Sequence, residues 1–291
     1  LNPGYLFAAA AFILWGVLPV YWKQLDGVPA TQIVAHRVLW SLATLLPLVW
    51  WTGTAGKINA AARDRRVILR QAVAAVLVSA NWLAFVWAVT HGRLIEASLG
   101  YFLNPLLSVL VGVLLLGERL RRGQWLAIGI AAAGVVWLFA TAPKPPWMAL
   151  VLAGTFCLYS LAKKTTPLDA VSSLTCETLI LVPLAALFLG GEHAAGRGAF
   201  GRASLATDGL IAATGVVTAV PLLCFAAAAR RIPLSALGFL QYLGPSLQFL
   251  LGLLVYGEPF DGRTFVGFVL VWGALAIFAI EGTGHSLRGR R

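Results

Sequence analysis

Leu103-Asn104-Pro105-Leu106-Leu107-Ser108-Val109-Leu110-Val111-Gly112-Val113-Leu114-Leu115-Leu116-Gly117-Glu118 is answered 140 residues later by Leu243-Gly244-Pro245-Ser246-Leu247-Gln248-Phe249-Leu250-Leu251-Gly252-Leu253-Leu254-Val255-Tyr256-Gly257-Glu258. Leucine at 103, 107, 110 and 114, proline at 105, glycine at 112 and 117 and glutamate at 118 all recur at that offset. Two apolar, helix-length copies ending in Gly-Glu point to a duplicated chain. Working outward from them, ten apolar stretches can be read, at 4–22, 31–51, 67–90, 94–116, 123–141, 147–162, 169–189, 208–229, 234–256 and 263–280. Most reach the ~20 residues that cross a ~30 Å hydrocarbon core. The sixth is the shortest and ends in Lys163-Lys164. Ten spans divide five and five at Pro143-Lys144-Pro145-Pro146, giving one repeat over 1–142 and a second over 146–291. An odd number of spans per repeat makes the copies run in opposite directions across the bilayer. The expected fold is an all-α integral membrane protein: ten transmembrane helices arranged as two inverted five-helix repeats.

Composition agrees. Hydrophobic residues make up 59% and charged residues 11% of the chain, and the mean hydropathy is +0.84. A soluble domain carries about 25% charge, so this chain cannot clothe a water-facing surface. The first span has no basic residues before it and no small-residue cleavage site after it, so it reads as a membrane helix and not as a signal peptide. Cys157, Cys176 and Cys224 fall within spans without metal or redox spacing and are expected as free thiols. His36, His91, His193 and His285 are scattered, so neither a metal site nor a cofactor site is expected. The net charge of +11 sits in short loops between spans, where it serves as a topology signal and meets anionic lipid; nucleic acid is not an expected partner.

The basic residues also set the orientation. Fifteen of the 22 lie on the side of the N-terminus: Lys57, Arg63, Arg65, Arg66, Arg70, the Arg119–Arg122 loop, Lys163, Lys164, Arg230, Arg231 and the C-terminal arginines at 288, 290 and 291. Six lie opposite, at Lys23, Arg93, Lys144, Arg197, Arg202 and Arg263. The positive-inside rule then places both termini in the cytoplasm. The longest loops, 52–66 and 190–207, hold matching places in the two halves. Trp22, Trp50, Trp51, Trp125 and Trp147 stand at span ends as an interfacial belt. Small residues in the fifth span (Ala127, Ala131, Gly134) and the tenth (Gly267, Gly273, Ala274) suit close helix packing, within one chain or between two.

Several motifs resemble one family. They are Trp15-Gly16 with Pro19-Val20-Tyr21-Trp22-Lys23, His36-Arg37-Val38-Leu39-Trp40-Ser41, Asn81-Trp82, and the run from Glu96 through Gly100-Tyr101-Phe102-Leu103-Asn104-Pro105. Gly117-Glu118-Arg119-Leu120, Glu177-Thr178-Leu179 and Gly238-Phe239-Leu240-Gln241-Tyr242 belong with them. Together they are similar to the EamA branch of the drug/metabolite transporter superfamily, and the likeness runs from the first span to the tenth. The resemblance implies ten helices, inverted repeats, alternating access and a bacterial inner-membrane location. It also implies export of small metabolites, amino acids or related amphipathic compounds first among them. Efflux of chloramphenicol-like drugs and an uncoupled facilitator or channel are the competing readings. In relatives, helices 1, 3, 4, 6, 8 and 9 line a central cavity. The implied partners are a small-molecule substrate and membrane lipid, with a monomer as the working expectation.

Ionisable groups inside a span are costly and mark functional candidates. His36, Arg37 and Glu177 stand out as intramembrane polar or coupling groups. His36 aligns with Glu177 at offset 141, so inverted repeats place His36 toward the periplasmic end of its helix and Glu177 toward the cytoplasmic end of its own. Arg37 can reach the interface by snorkelling. All three can equally anchor neighbouring backbone. Candidate substrate-binding residues are Trp15, Asn81, Trp82, Tyr101, Asn104, Tyr159, Gln241 and Tyr242. Asn81 lies about 21 Å from one end of its helix and Tyr101 about 10 Å from the opposite end of its own, so they meet at similar depth. Gln241 mirrors Tyr101. An amide facing lipid stays unpaired at a cost of roughly 2–7 kcal/mol, so each must face protein or a wet cavity. Pro105 and Pro245 occupy equivalent places and each removes a helix hydrogen bond, making them candidate hinges. Gly117-Glu118 and Gly257-Glu258 read as turn and capping chemistry. No nucleophile–base pair supports an enzyme.

Overall fold

The computed structural model describes residues 2–25, 27–90, 94–140, 147–202, 204–255 and 262–288. Among them the regular structure is all helix, without strands. Helix α1 (Pro3–Trp22) begins with proline at its first position and the Asn2 side chain accepting from Gly4 N at 2.9 Å. A 3-10 turn (Lys23–Leu25) leads to α2 (Ala30–Thr52), which stops at Gly53, whose φ of 63° suits glycine. Then follow α3 (Ala55–Arg63), α4 (Arg65–Thr90), α5 (Leu94–Leu116), α6 (Arg122–Ala140) and α7 (Trp147–Thr165). Helix α8 (Ala170–Ala194) is capped by Asp169 and α9 (Leu205–Ala229) by Ser204. Helices α10 (Leu234–Gln241), α11 (Leu243–Leu254) and α12 (Gly262–Arg288) complete the chain.

Among the described residues, six helices are long and apolar enough to cross a membrane: α1, α2, α4, α6, α8 and α9. Their outward faces are apolar, with Leu6, Leu69, Leu126, Leu184 and Leu187 exposed, whereas across the bundle Ser41, Asn81, Asn104, Ser108, Lys163, Glu177 and Gln241 are buried. A polar interior under an apolar coat is the arrangement a lipid solvent demands. The protein is a multi-pass membrane protein.

Several boundaries differ from the sequence expectation; α12, for one, runs to Arg288, past the expected end at 280. The 52–66 loop contains α3, because Ala60-Ala61-Ala62 and Lys57 favour helix even in a connection. Helix α7 runs to Thr165, past the expected end at 162, because Lys163 turns inward and is 1% exposed; it does not belong with the loop charges. Helix α8 continues to Ala194, where Glu192 pairs with Arg197 at 2.6 Å. The stretch expected as one span over 234–256 is two helices that meet at Tyr242. Pro245 has no N–H to give the Gln241 carbonyl, and the chain breaks there. Pro105, by contrast, lies inside an unbroken α5, so the two prolines are not structural equivalents. The repeat boundary around 143–146, His91 and Gly257-Glu258 lie outside the described residues, as do the side chains of Arg93, Glu96, Arg263, His285 and Arg288.

Helix α1 packs on α9 and α11, α2 on α8 and α9, α4 on α7, α5 on α7 and α10, and α6 on α12. Small residues account for the last pair. A Cβ on Gly134 would meet the Gly267 carbonyl at 3.1 Å, and one on Gly267 would strike Leu138. The small-residue faces of the fifth and tenth spans therefore meet each other within the chain.

Candidate functional site

The buried polar residues gather in three places. The first is where α5 meets α10. Asn104 Nδ2 donates to Gln241 Oε1 at 2.7 Å, joining the two halves of the chain directly. Asn104 Oδ1, Gln241 Nε2 and the Tyr242 hydroxyl are buried and have no partner among the described residues. The Tyr242 ring packs on Phe102 at 6.3 Å and Phe239 at 6.4 Å. A Cβ on Gly238 would stand 2.9 Å from the Pro105 carbonyl, so α10 needs glycine there to approach α5.

The second place is where α4, α7 and α8 meet. Lys163 Nζ donates to Glu177 Oε1 at 2.5 Å and to Ser173 Oγ at 3.0 Å. The Tyr159 hydroxyl donates to Glu177 Oε2 at 3.2 Å. With its amide turned so that nitrogen faces acceptors, Gln71 donates to Ser173 Oγ and to Glu177 Oε1 at 3.1 Å and accepts from Thr166. Every member of this network is buried. Sequence reasoning found Glu177 and Tyr159 but missed Lys163 and Gln71; a lysine next to Lys164 at a span end looks like any loop charge.

The third place brings together α1, α2, α4 and α9. Arg37 Nε donates to Thr218 Oγ1 at 2.9 Å. Its guanidinium carbon lies 4.4 Å from the Trp82 ring centroid and 5.0 Å from that of Trp22. Arg37 thus turns into the bundle; it does not snorkel outward, because two indoles and a hydroxyl offer it an interior berth. Trp22, read from sequence as an interfacial belt residue, is one wall of that berth. Tyr21 donates its hydroxyl to the Leu210 carbonyl nearby.

The other candidates lie around these places, and Trp15 and Tyr159 share Phe156 and Phe225 as neighbours. Asn81 Nδ2 donates to the Leu152 carbonyl at 2.9 Å and to Thr155 Oγ1 at 3.0 Å, a bond between α4 and α7. Trp15 sits in an aromatic cluster with Phe12, Phe156 and Phe225 at 5.6–5.7 Å, and its carbonyl accepts from Gln248. Tyr159 stacks on Phe225 at 6.0 Å. Tyr101 packs on Phe85 at 5.8 Å. His36 lies against Phe200 at 5.4 Å, away from Glu177's network. A cleft of about 350 Å³ lined by Lys57, Asp64, Leu168, Asp169 and Arg230 opens beside α3, and none of the binding residues chosen from sequence lines it. Among the described residues no group of histidine, cysteine, aspartate or glutamate has metal-binding geometry.

Comparison with known proteins gives a consistent result. The EamA-like transporter family model matches residues 2–140. The chain is 42% identical over 280 residues to Protein RarD of Salmonella typhimurium, covering 96% of this chain and 95% of that one. It is 40% identical over 296 residues to an uncharacterized transporter of Vibrio cholerae, covering 100% and 97%. It is 34% identical over 284 residues to the chloramphenicol-sensitive protein RarD of Pseudomonas aeruginosa, covering 95% and 93%. A solved crystal structure with 21% identity superposes with a TM-score of 0.71 over 95% of this chain and 97% of that one, which shows a shared fold.

Proposed function

Since the chain belongs to the EamA-like transporter family of the drug/metabolite transporter superfamily, we propose that it exports small amphipathic metabolites, amino acids foremost, across the bacterial inner membrane by alternating access. Family and relatives indicate a transporter and not an enzyme.

The observation that carries this reading is the reciprocity of the packing. Take α1, α2, α4, α5 and α6 as one repeat, over 1–142, and α7, α8, α9, α10 with α11, and α12 as its inverted copy, over 146–291. Helix α1 then packs on α9 as α7 packs on α4, and α1 on α10–α11 as α7 on α5. Helices α2 and α8, α5 and α10, and α6 and α12 each meet their own counterpart. Two halves that exchange roles this way form two nearly equivalent arrangements, the physical basis of alternating access. Charge favours cytoplasmic termini even after Lys163 is set aside, with fourteen basic residues against six.

The solute-contacting residues are taken to be Asn104, Gln241 and Tyr242 where the halves meet, with Trp15, Asn81, Trp82, Tyr101 and Tyr159 around them. What supports this placement is the Asn104–Gln241 bond across the halves and the unpartnered buried atoms beside it. Aromatic rings would supply contact area and amides orientation. The name of the Pseudomonas relative keeps chloramphenicol-like efflux as a second reading.

The test is transport of a panel of labelled amino acids and chloramphenicol in proteoliposomes, with and without a pH gradient. Gln241→Ala and Tyr101→Ala should lower transport far more than they lower folded protein. Normal transport by both variants overturns the site; no transport of any solute by the wild type overturns the function.

A further inference from the structure

Among the described residues, Arg37 is a cation inside the helix bundle that belongs to neither the Lys163–Glu177 network nor the α5–α10 contact. Its side chain is only partly buried, although helices from both halves surround it. Trp82 and Trp22 cover it, and Nε is held by Thr218. The two terminal nitrogens donate to no acceptor among the described residues, and no described carboxylate neutralises the charge. A guanidinium stacked by aromatic rings keeps its in-plane donors free at the edge, and that edge matches the two oxygens of a carboxylate. Rings on the walls and a planar donor fork at the end together describe a receptor for the carboxylate of an amphipathic solute.

We propose that Arg37, clamped by Trp22, Trp82 and Thr218, is the anchor for the carboxylate of the transported solute. This rests on the transporter reading above and narrows it to solutes that carry a carboxylate beside an apolar body. Thr218 fixes the guanidinium's rotation through Nε. The indoles fix its plane and offer faces to the solute's apolar part. A neutral drug or an amine gains nothing from this site, which separates carboxylate export from chloramphenicol-like efflux. A lipid phosphate is the other source of an anion. We commit to the solute because Arg37's contacts come from the bundle interior: Thr218 is 2% exposed and sits within α9.

The test uses purified protein in detergent and two probes that differ only in the acid group, L-phenylalanine and L-phenylalaninol. Intrinsic tryptophan fluorescence reports binding, and Trp22→Phe and Trp82→Phe assign the signal. L-phenylalanine should give a saturable change, with phenylalaninol weaker by about tenfold or more, the worth of a charge-assisted hydrogen-bonded pair. Arg37→Gln should lose the preference and Arg37→Lys keep part of it. Equal binding of the two probes by the wild type, or no saturable response to L-phenylalanine, overturns the proposal without need of any variant. So does an unchanged preference in folded Arg37→Gln. Displacement of L-phenylalanine by phosphatidylglycerol at stoichiometric amounts reassigns the site to lipid and overturns it too. Efflux from proteoliposomes separates the two readings: transport with no preference for the acid sinks the anchor and spares the transporter, whereas Arg37-dependent binding without efflux does the reverse.

Discussion

Lys163 Nζ lies 2.5 Å from Glu177 Oε1, and the two side chains are 1% and 2% exposed. Neither charge is tolerable alone in that setting. Removing one partner of a buried pair costs about 3–5 kcal/mol, whereas replacing both with apolar groups of similar volume is often neutral. Lys163→Met and Glu177→Leu should therefore each lower the melting temperature in detergent sharply, and the double variant should recover most of the loss. Additive losses in the double variant would show that the pair does not act as a unit.

Orientation can be checked with cysteines placed at exposed positions on the two faces. Lys57 on α3 and Arg202 before α9 are both exposed, and Cys224, the least buried native cysteine, is first changed to alanine. A membrane-impermeant maleimide on intact cells should label Arg202→Cys and leave Lys57→Cys unlabelled until the cells are opened. The opposite pattern would overturn the cytoplasmic placement of the termini.

How much of this was legible from sequence depended on the range of the interaction. The positions of most helices follow from runs of apolar residues, and the inward faces of α6 and α12 from glycine and alanine spacing. Those signals are local. The clamp on Arg37 joins residues 22, 37, 82 and 218, and no spacing rule links them. Lys163 and Glu177 stand 14 residues apart on two helices, so their pairing depends on how α7 and α8 fold back on each other. The break at Tyr242 had a local cause in Pro245, yet Pro105 has the same cause and α5 stays whole. Packing decided between them.

At the α3–α8 surface, Asp169 accepts from Ser172 N at 2.9 Å and from Lys57 Nζ at 2.9 Å. Burial works against the carboxylate, but these donors outweigh it and hold its pKa below the usual aspartate value. A depressed folded pKa means the stabilisation is complete above the unfolded value near ~4 and is lost as pH falls through the folded one. Asp169→Asn keeps a capping oxygen but loses the charge, so it should lower the melting temperature at neutral pH by the equivalent of about 0.5 kcal/mol. The difference from wild type should shrink below about pH 4. A difference that persists unchanged in acid would mean the charge contributes nothing.

Glu118 ties the halves together at the start of α10. Its Oε1 accepts from Leu234 N at 2.6 Å and its Oε2 from Ser235 N at 2.9 Å. The helix presents unpaired N–H groups there, and a carboxylate satisfies them while meeting the positive end of the helix dipole. Gly117, at φ 66°, turns the chain so that Glu118 can reach across, and Glu118 N bonds back to the Gly112 carbonyl at 3.0 Å. A Cβ on Gly112 would lie 2.7 Å from the same carboxylate. Capping chemistry for Gly117-Glu118 is thus observed, and its target is 116 residues away in the other half. Glu118→Gln keeps one acceptor oxygen and loses the charge, so it should cost about 1 kcal/mol; Glu118→Ala loses both bonds and should cost about 2 kcal/mol. Because α10 carries Gln241 next to Asn104 of α5, loosening its start should also loosen that contact. Transport should fall in Glu118→Ala by more than the loss of folded protein explains, while Glu118→Gln stays close to wild type. Equal transport per folded molecule in all three proteins would make Glu118 a cap and nothing more.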